Sequence, residues 1–412
     1  MSLKVEDPYE WLEDISNPKV IEWAFKEDNH TRNFLNDYSQ ILRSRVEKYY
    51  SIPYISSIKV ASTGYYVLVR ELESFKIKLL TRDGEHIDIV DSKALGDDTI
   101  IQYFYINPNG DKLAFSYSHG GADVGKLRII DTNTLEVIDE IEGVISDIVW
   151  LNSNKYYYVR LYRDEKTPDG VEPPTERVFL RENGRDEMVF GVGVPTSHHI
   201  SLKVSNDYTT ALLSVSYGWT RSKVYGGPLT KPESWQYIYG GDFIVCPVDS
   251  INGKYIVLSY DKSLGRILSI SDGIVKVIVD EKEYPLQDAL LASNYIIAHY
   301  LVNASSKLTL YDLTGSLVKT ISFDVVGSVS SLHHYDGEVV FKYESFTIPY
   351  RLYSLKNGNL KVIRGEDISD NYIVDEGWVK SRDGTDIHFF IVRKSNTSLK
   401  HAVVYGLSLI HI

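Results

Sequence analysis

A single cysteine, Cys246, stands in 412 residues, which excludes a disulfide framework and a cysteine zinc cluster. No run of about 18 apolar residues occurs, so no membrane-spanning helix is expected. The opening Met1-Ser2-Leu3-Lys4-Val5-Glu6-Asp7 holds no apolar leader core, and the expected location is the cytoplasm. Basic excess is also missing. Lys and Arg number 44 against 56 Asp and Glu, a net charge of −12, which argues against a nucleic-acid partner or an anionic membrane surface. Only 2 methionines and 4 glutamines occur, and with abundant Glu and Lys this hints at a heat-adapted source. Apolar residues make up 43% of the chain, which is ordinary for a globular protein with a sizeable core.

What is plentiful is tyrosine, 31 residues in all, which with the β-branched residues favours strands. The first 50 residues are the exception and carry helical spacing. Ser16-Asn17-Pro18 is a start signal, a capping residue followed by a proline whose missing N–H costs nothing in the first turn. Val20, Trp23 and Ala24 then share a face. After Thr31, a stripe of Phe34, Leu35, Tyr38, Ile41, Leu42 and Val46 follows at the 3–4 spacing of a buried face. Two helices packed on a neighbouring domain are expected.

From Ile58 the period changes to short alternating runs set off by Gly, Asn and Asp. Seven units recur, each a small polar turn followed by a strand of Tyr, Val, Leu and Phe. Their turn markers are Gly64, Gly110, Asn154, Asp207, Gly253, Asn294 and Gly337, at intervals of 46, 44, 53, 46, 41 and 43 residues. Most units continue with a hairpin, as around Asp83-Gly84, Asp131-Thr132-Asn133, Thr314-Gly315 and Asn357-Gly358. Four strands every 40–50 residues is the period of a propeller blade. The proline-rich Lys166–Pro174 insertion accounts for the long interval. Beyond Glu366 the repeat ends. Glu376–Val392 predicts a β-hairpin around Asp383-Gly384, and His401–Gly406 a buried strand.

Signatures of chemistry are sparse. There is no G-x-S-x-G elbow, no H-E-x-x-H pair and no EF-hand loop. Gly120 to Gly125-Lys126 resembles a phosphate loop, but Leu127 stands where Ser or Thr would hold magnesium, and a strand follows, so a blade turn is the better reading. Gly191-Val192-Gly193 lacks the strand–helix context of a dinucleotide site. The His198-His199 and His333-His334 pairs alternate across a strand and do not make a chelate. Cys246, in an apolar strand, is expected to be a buried, inert thiol. No cofactor, metal or catalytic residue is assigned.

Asp7-Pro8-Tyr9-Glu10-Trp11-Leu12-Glu13-Asp14 resembles the opening signature of the prolyl oligopeptidase family of serine peptidases, and Val20, Trp23 and Asn29-His30-Thr31 are similar to its first helix. Ser216-Tyr217-Gly218-Trp219, then Glu344–Pro349 with Tyr353, then Ser381-Arg382-Asp383-Gly384-Thr385, resemble later family motifs in family order. The resemblance implies an all-β seven-bladed propeller with N-terminal helices and a C-terminal remnant of an α/β-hydrolase domain. It divides the chain into 1–57 (helical part of the peptidase half), 58–368 (propeller) and 369–412 (start of the hydrolase domain). It implies hydrolysis of short peptides, typically after proline, with the propeller gating access and a Ser, Asp, His triad following it.

Past Tyr405-Gly406 the family continues Y-G-Y-G-G-F, whereas Leu407-Ser408-Leu409-Ile410-His411-Ile412 stands here. This departure is expected to reflect truncation before the catalytic residues. No family catalytic residue maps onto this chain, and turnover by the chain alone is not expected. Two alternatives stay open: a non-catalytic propeller that binds peptides or a protein partner, and one half of a split peptidase whose catalytic half is a separate chain.

Overall fold

The computed structural model describes residues 7–152, 154–366, 371–396 and 401–406. The first unit holds a short 3-10 turn, Glu10–Leu12, and one α-helix, Pro18–Tyr50. Asn17 caps it, its side-chain oxygen accepting from Lys19 N–H at 3.0 Å, with Pro18 in the first turn. The two helices expected here are thus one. Neither Gly nor Pro interrupts residues 19–50, and the Asp28–Arg32 ion pair at 2.7 Å spans the Asn29-His30-Thr31 step where a break was expected. The apolar stripe runs as the spacing predicts, but Phe34, Tyr38 and Ile41 are exposed in this chain, and Val20 is the one buried residue of the helix.

Residues 54–366 form seven four-stranded antiparallel sheets, each built from four consecutive strands. The blades cover 54–91, 99–142, 144–190, 198–240, 245–279, 286–321 and 328–366. The seven sequence units are the second strands of the seven blades. These strands are buried nearly throughout because both faces are covered; Lys112–His119 buries seven of its eight residues. Fourth strands are the opposite. Ile274–Val279 buries Val279 alone.

A separate apolar core fills each seam between neighbouring blades, seven in all, including the seam between blades 7 and 1. Tyrosine suits this wedge, because its ring fills apolar width and its hydroxyl reaches the next blade. Tyr66 donates to Gly110 O and Tyr157 to Leu229 O, both at 2.9 Å, and Tyr103 donates to Ile145 O. The ladders are irregular where the blades must twist. All seven ladders between second and third strands are regular, whereas all seven between third and fourth strands carry a register shift.

No strand is exchanged between the first and last blades. Side chains close the ring instead. Ser331 Oγ accepts from Ile58 N–H at 2.9 Å and donates to Ile58 O at 3.0 Å, and Val60 N–H donates to His333 Nδ1 at 3.2 Å. These bonds satisfy an edge that a fifth strand would otherwise have to cover. Because each blade has four strands, the chain enters blade 1 and leaves blade 7 on the same face, where the first strands begin.

After the propeller, Tyr372–Lys380 and Asp386–Lys394 pair as the expected hairpin around Asp383-Gly384. Among the described residues of the expected 369–412 hydrolase segment, no further strand or helix follows. His401–Gly406 is not a strand, and Val403 is 97% exposed, not buried. A strand needs a ladder partner, and none lies beside these residues among those described. Leu407–Ile412, where the departure from the family pattern falls, lies outside the described residues. No described helix is long and apolar enough to cross a membrane.

Candidate functional site: the axial channel

The first strands of all seven blades line an axial cavity of about 530 Å3. They are Tyr54–Ala61, Thr99–Ile106, Val144–Asn152, His198–Val204, Val245–Ile251, Leu286–Ala292 and Ser328–Tyr335. Six of the seven carry a register shift against their second strand, and the shifts re-aim polar side chains. Asp147 sits at such a shift with φ +51, a conformation aspartate tolerates. Its N–H donates to Tyr105 Oη of blade 2 at 3.0 Å, and its Oδ2 accepts from Leu202 N–H of blade 4 at 2.9 Å.

Lys59 and Lys203 also line the cavity. Surrounding protein holds the Lys59 ammonium down at about 8, opposed by Asp147, with the Tyr105 ring 4.4 Å away. Lys203 is lowered for the same reason, opposed by Asp288, Cys246, Asp249 and Asp147. Burial pushes Asp147 up, and pushes Asp249 up to about 6. His333 is pulled down to about 3 by burial, with Lys59 and His334 adding to it. The lumen therefore favours neutral side chains on its walls, balanced by opposed lysines and aspartates.

Asn206 spans the lumen at the end where the first strands finish. Its N–H donates to Asp249 Oδ1 of blade 5 at 3.1 Å, and its Nδ2 to Leu291 O of blade 6 at 2.7 Å. His334 of blade 7 completes the link. Gly337 N–H donates to His334 Nε2 at 3.0 Å, which leaves the proton on Nδ1 to donate to Asn206 Oδ1 at 3.1 Å. One residue of blade 4 thus ties three other blades together and narrows that mouth of the channel.

The paired histidines have separate partners. His333 serves Val60 and His334 serves Asn206, while His198 packs on Tyr217 and His199 lies 3.5 Å from Glu176. Cys246 is a correction. It is exposed, on the wall of a second cavity of about 940 Å3 shared with His199, Trp219, Phe243 and Tyr260. The physical reason is its place on a first strand, where alternate residues face the hollow of the ring and not the next blade. Surrounding protein still raises its thiol, opposed by Lys203, which favours the neutral form.

Gly120–Gly125 is the turn between the second and third strands of blade 2. Gly191 precedes blade 4 with φ +108, and a Cβ there would meet Arg177 Cδ at 2.7 Å. That glycine makes room for a fully buried arginine. The roles of Asp147, Asn206 and Asp249 were not legible beforehand. The one available signal was a polar residue breaking an apolar run, as in Ile145-Ser146-Asp147-Ile148-Val149.

Comparison with known proteins gives this geometry a family. Residues 2–365 match the family model described as prolyl oligopeptidase, N-terminal beta-propeller domain. The prolyl endopeptidase of Elizabethkingia miricola is 23% identical over 421 residues, covering 95% of this chain and 59% of that protein. The prolyl endopeptidase of Dictyostelium discoideum is 21% identical, covering 97% and 65%. A solved prolyl endopeptidase superposes with a TM-score of 0.84 at 20% identity, over 96% of this chain and 62% of that one. Prolyl oligopeptidase B of Galerina marginata, free of ligand, gives 0.70 at 17%, over 96% and 63%. The chain therefore spans about three-fifths of the length of such relatives. Seven blades closed by side chains around a lumen, with a family match over almost all of them, place this chain in the prolyl oligopeptidase family as a bearer of its N-terminal propeller domain.

Proposed function

We propose that this chain is the access-limiting propeller of a serine endopeptidase that cleaves short peptides, typically after proline, and that turnover requires a hydrolase half carrying the Ser, Asp and His. The observation that carries this reading is the family match over the whole propeller, joined to a lumen narrowed by Asn206. A narrow, hydrogen-bonded mouth passes solvent and excludes folded protein. The motifs that would supply a nucleophile and its base do not occur in the sequence. Binding groups without a triad and oxyanion donors supply little acceleration.

The test is hydrolysis of a fluorogenic proline-containing peptide by residues 1–412, with and without a family hydrolase half added as a separate chain. Turnover only in the mixture supports the reading; turnover by residues 1–412 unaided overturns it. The large cavity beside Trp219, Phe243 and Tyr260 favours a second reading, a peptide-binding module. Saturable peptide binding by calorimetry, with no turnover in either sample, would select that one.

A further inference from the structure

We propose that the outer groove between blades 1 and 7 binds a small multivalent oxyanion of the phosphate class, free in solution, which staples that seam. Six of the seven seams are crossed by the polypeptide itself, and the seam between blades 7 and 1 is not. Along it runs a groove of about 560 Å3. Its wall includes Arg82 and His86 from blade 1, with Lys361 and Arg364 from blade 7, and no carboxylate. All the formal charge of this wall is positive, in a chain whose net charge is −12. Asp83 and Glu85, in the adjoining turn, do not line it.

Register places the cations on facing surfaces. In blade 7, Leu352 pairs with Arg364, Tyr353 with Val362, and Ser354 with Lys361. Ile363 is therefore an extra, unpaired residue. Leu352 and Ser354 lie two apart, so their partners Arg364 and Lys361 project from the same face. Without the bulge, residues three apart would project from opposite faces. Leu352 belongs to the core shared with blade 1, so that face is the one turned to blade 1. Across the seam, His86 pairs with Leu80, which belongs to the same core.

The charges are unequally compensated. Arg82 Nη1 is paired with Glu338 Oε2 at 2.9 Å. Arg364 Nη1 donates to His86 Nδ1 at 3.1 Å, a neutral acceptor that leaves its charge unopposed and leaves a donor proton on Nε2. Lys361 has no hydrogen-bond or ion-pair partner among the described residues. A guanidinium, an ammonium and an imidazole N–H without a facing anion match phosphoryl oxygens, and the groove has room for more than one phosphate. An anion held by both blades would add a cross-seam link where the backbone gives none.

The experiment is titration calorimetry of the 412-residue chain with sodium pyrophosphate and tripolyphosphate, against sodium chloride of equal ionic strength and sodium acetate. One saturable site for the phosphates, absent for both controls, is expected. Because Lys361 and Arg364 are exposed, K361A/R364A should leave the unliganded Tm within about 1 °C, and weaken binding on the order of a hundredfold for two charge-assisted contacts. Tripolyphosphate should also slow hydrogen exchange at the Ile58 and Val60 amides. Absence of saturable binding, or binding unchanged in K361A/R364A, overturns the site. Binding with unchanged exchange at those amides overturns the staple. A phosphoserine peptide binding more tightly than tripolyphosphate, lost in the same variant, would overturn the free-anion source.

Discussion

Glu338 is the hub of the seam between blades 7 and 1, and its removal gives a quantitative test of ring closure by side chains. It is 4% exposed and accepts from Tyr65 Oη at 2.7 Å, Arg82 Nη1 at 2.9 Å and Ser354 Oγ. Two of these donors lie on blade 1. Glu338→Ala strands a guanidinium and two hydroxyls. Breaking one side of a buried pair costs about 3–5 kcal/mol, and Arg82, 44% exposed, is partly rescued by water, so about 3 kcal/mol is expected. That corresponds to a fall in Tm of about 4–5 °C for a domain of this size. Glu338→Gln keeps the shape but loses the charge, and should cost about 1–2 kcal/mol at pH 7. The pH dependence has a definite sign. Burial pushes the carboxyl up, but hydrogen bonds from Ser354, Tyr65 and Arg82 outweigh it and hold it below its ordinary 4.5. Its contribution is present above pH 4.5 and is lost as pH falls through the lower, folded value. Urea denaturation of both variants from pH 7 to pH 3 should show the gap between wild type and Glu338→Gln closing at the acid end. A gap that stays constant, or a Glu338→Ala variant within 1 °C of wild type, would refute closure through this carboxylate.

Three further outcomes follow from the same geometry. Asn206→Ala keeps the backbone bond to Asp249 of blade 5 but removes the side-chain link between blade 4 and blades 6 and 7, and because water can replace part of it, urea denaturation should show a loss of about 1–2 kcal/mol. Burial holds Asp249 up at about 6 against an ordinary 3.8, so native stability falls as pH rises through that window. Asp249→Asn, which keeps the acceptor for Asn206 and Ser250, should therefore be more stable than wild type at pH 8 by about 1–3 kcal/mol, with the advantage gone at pH 4 by thermal denaturation. Asp169 grips the fully buried Arg177 at 2.9 and 3.0 Å, so Asp169→Ala should cost about 3–5 kcal/mol in the same urea assay.

The propeller was legible because its second strands are nearly uniform. A strand covered on both faces carries a continuous apolar run, so Leu113-Ala114-Phe115 or Ile296-Ile297-Ala298 repeats whatever its neighbours do. The capping Asn17 and the hairpin at Asp383-Gly384 were legible for a related reason, since each is a local rule of backbone geometry. The split of the N-terminal helix was misread because a run of Asn, His and Thr is a weak breaker, and an ion pair spanned it. The strand expected at His401–Gly406 was misread for a different reason. Its apolar run reports a preference for burial, but a strand also requires a neighbour to pair with, and sequence pattern carries no information on whether one is present.

The site was less legible than the fold because bulges decide it, and a bulge leaves little trace in composition. Alternation along a regular strand would send Lys361 and Arg364 to opposite faces, and one unpaired residue, Ile363, reverses that. The same holds at Asp147, whose left-handed backbone turns its carboxylate to blade 4, and at Ser331, where positive φ lets a hydroxyl stand in for a missing strand. At Asp147, Ser331 and Arg364 a polar side chain of an inner or outer strand bonds to another blade and not to its own. Periodicity describes a strand in relation to its own sheet. The cross-blade contacts of this ring sit between sheets, at the seams and in the lumen, where register shifts set which side chains meet.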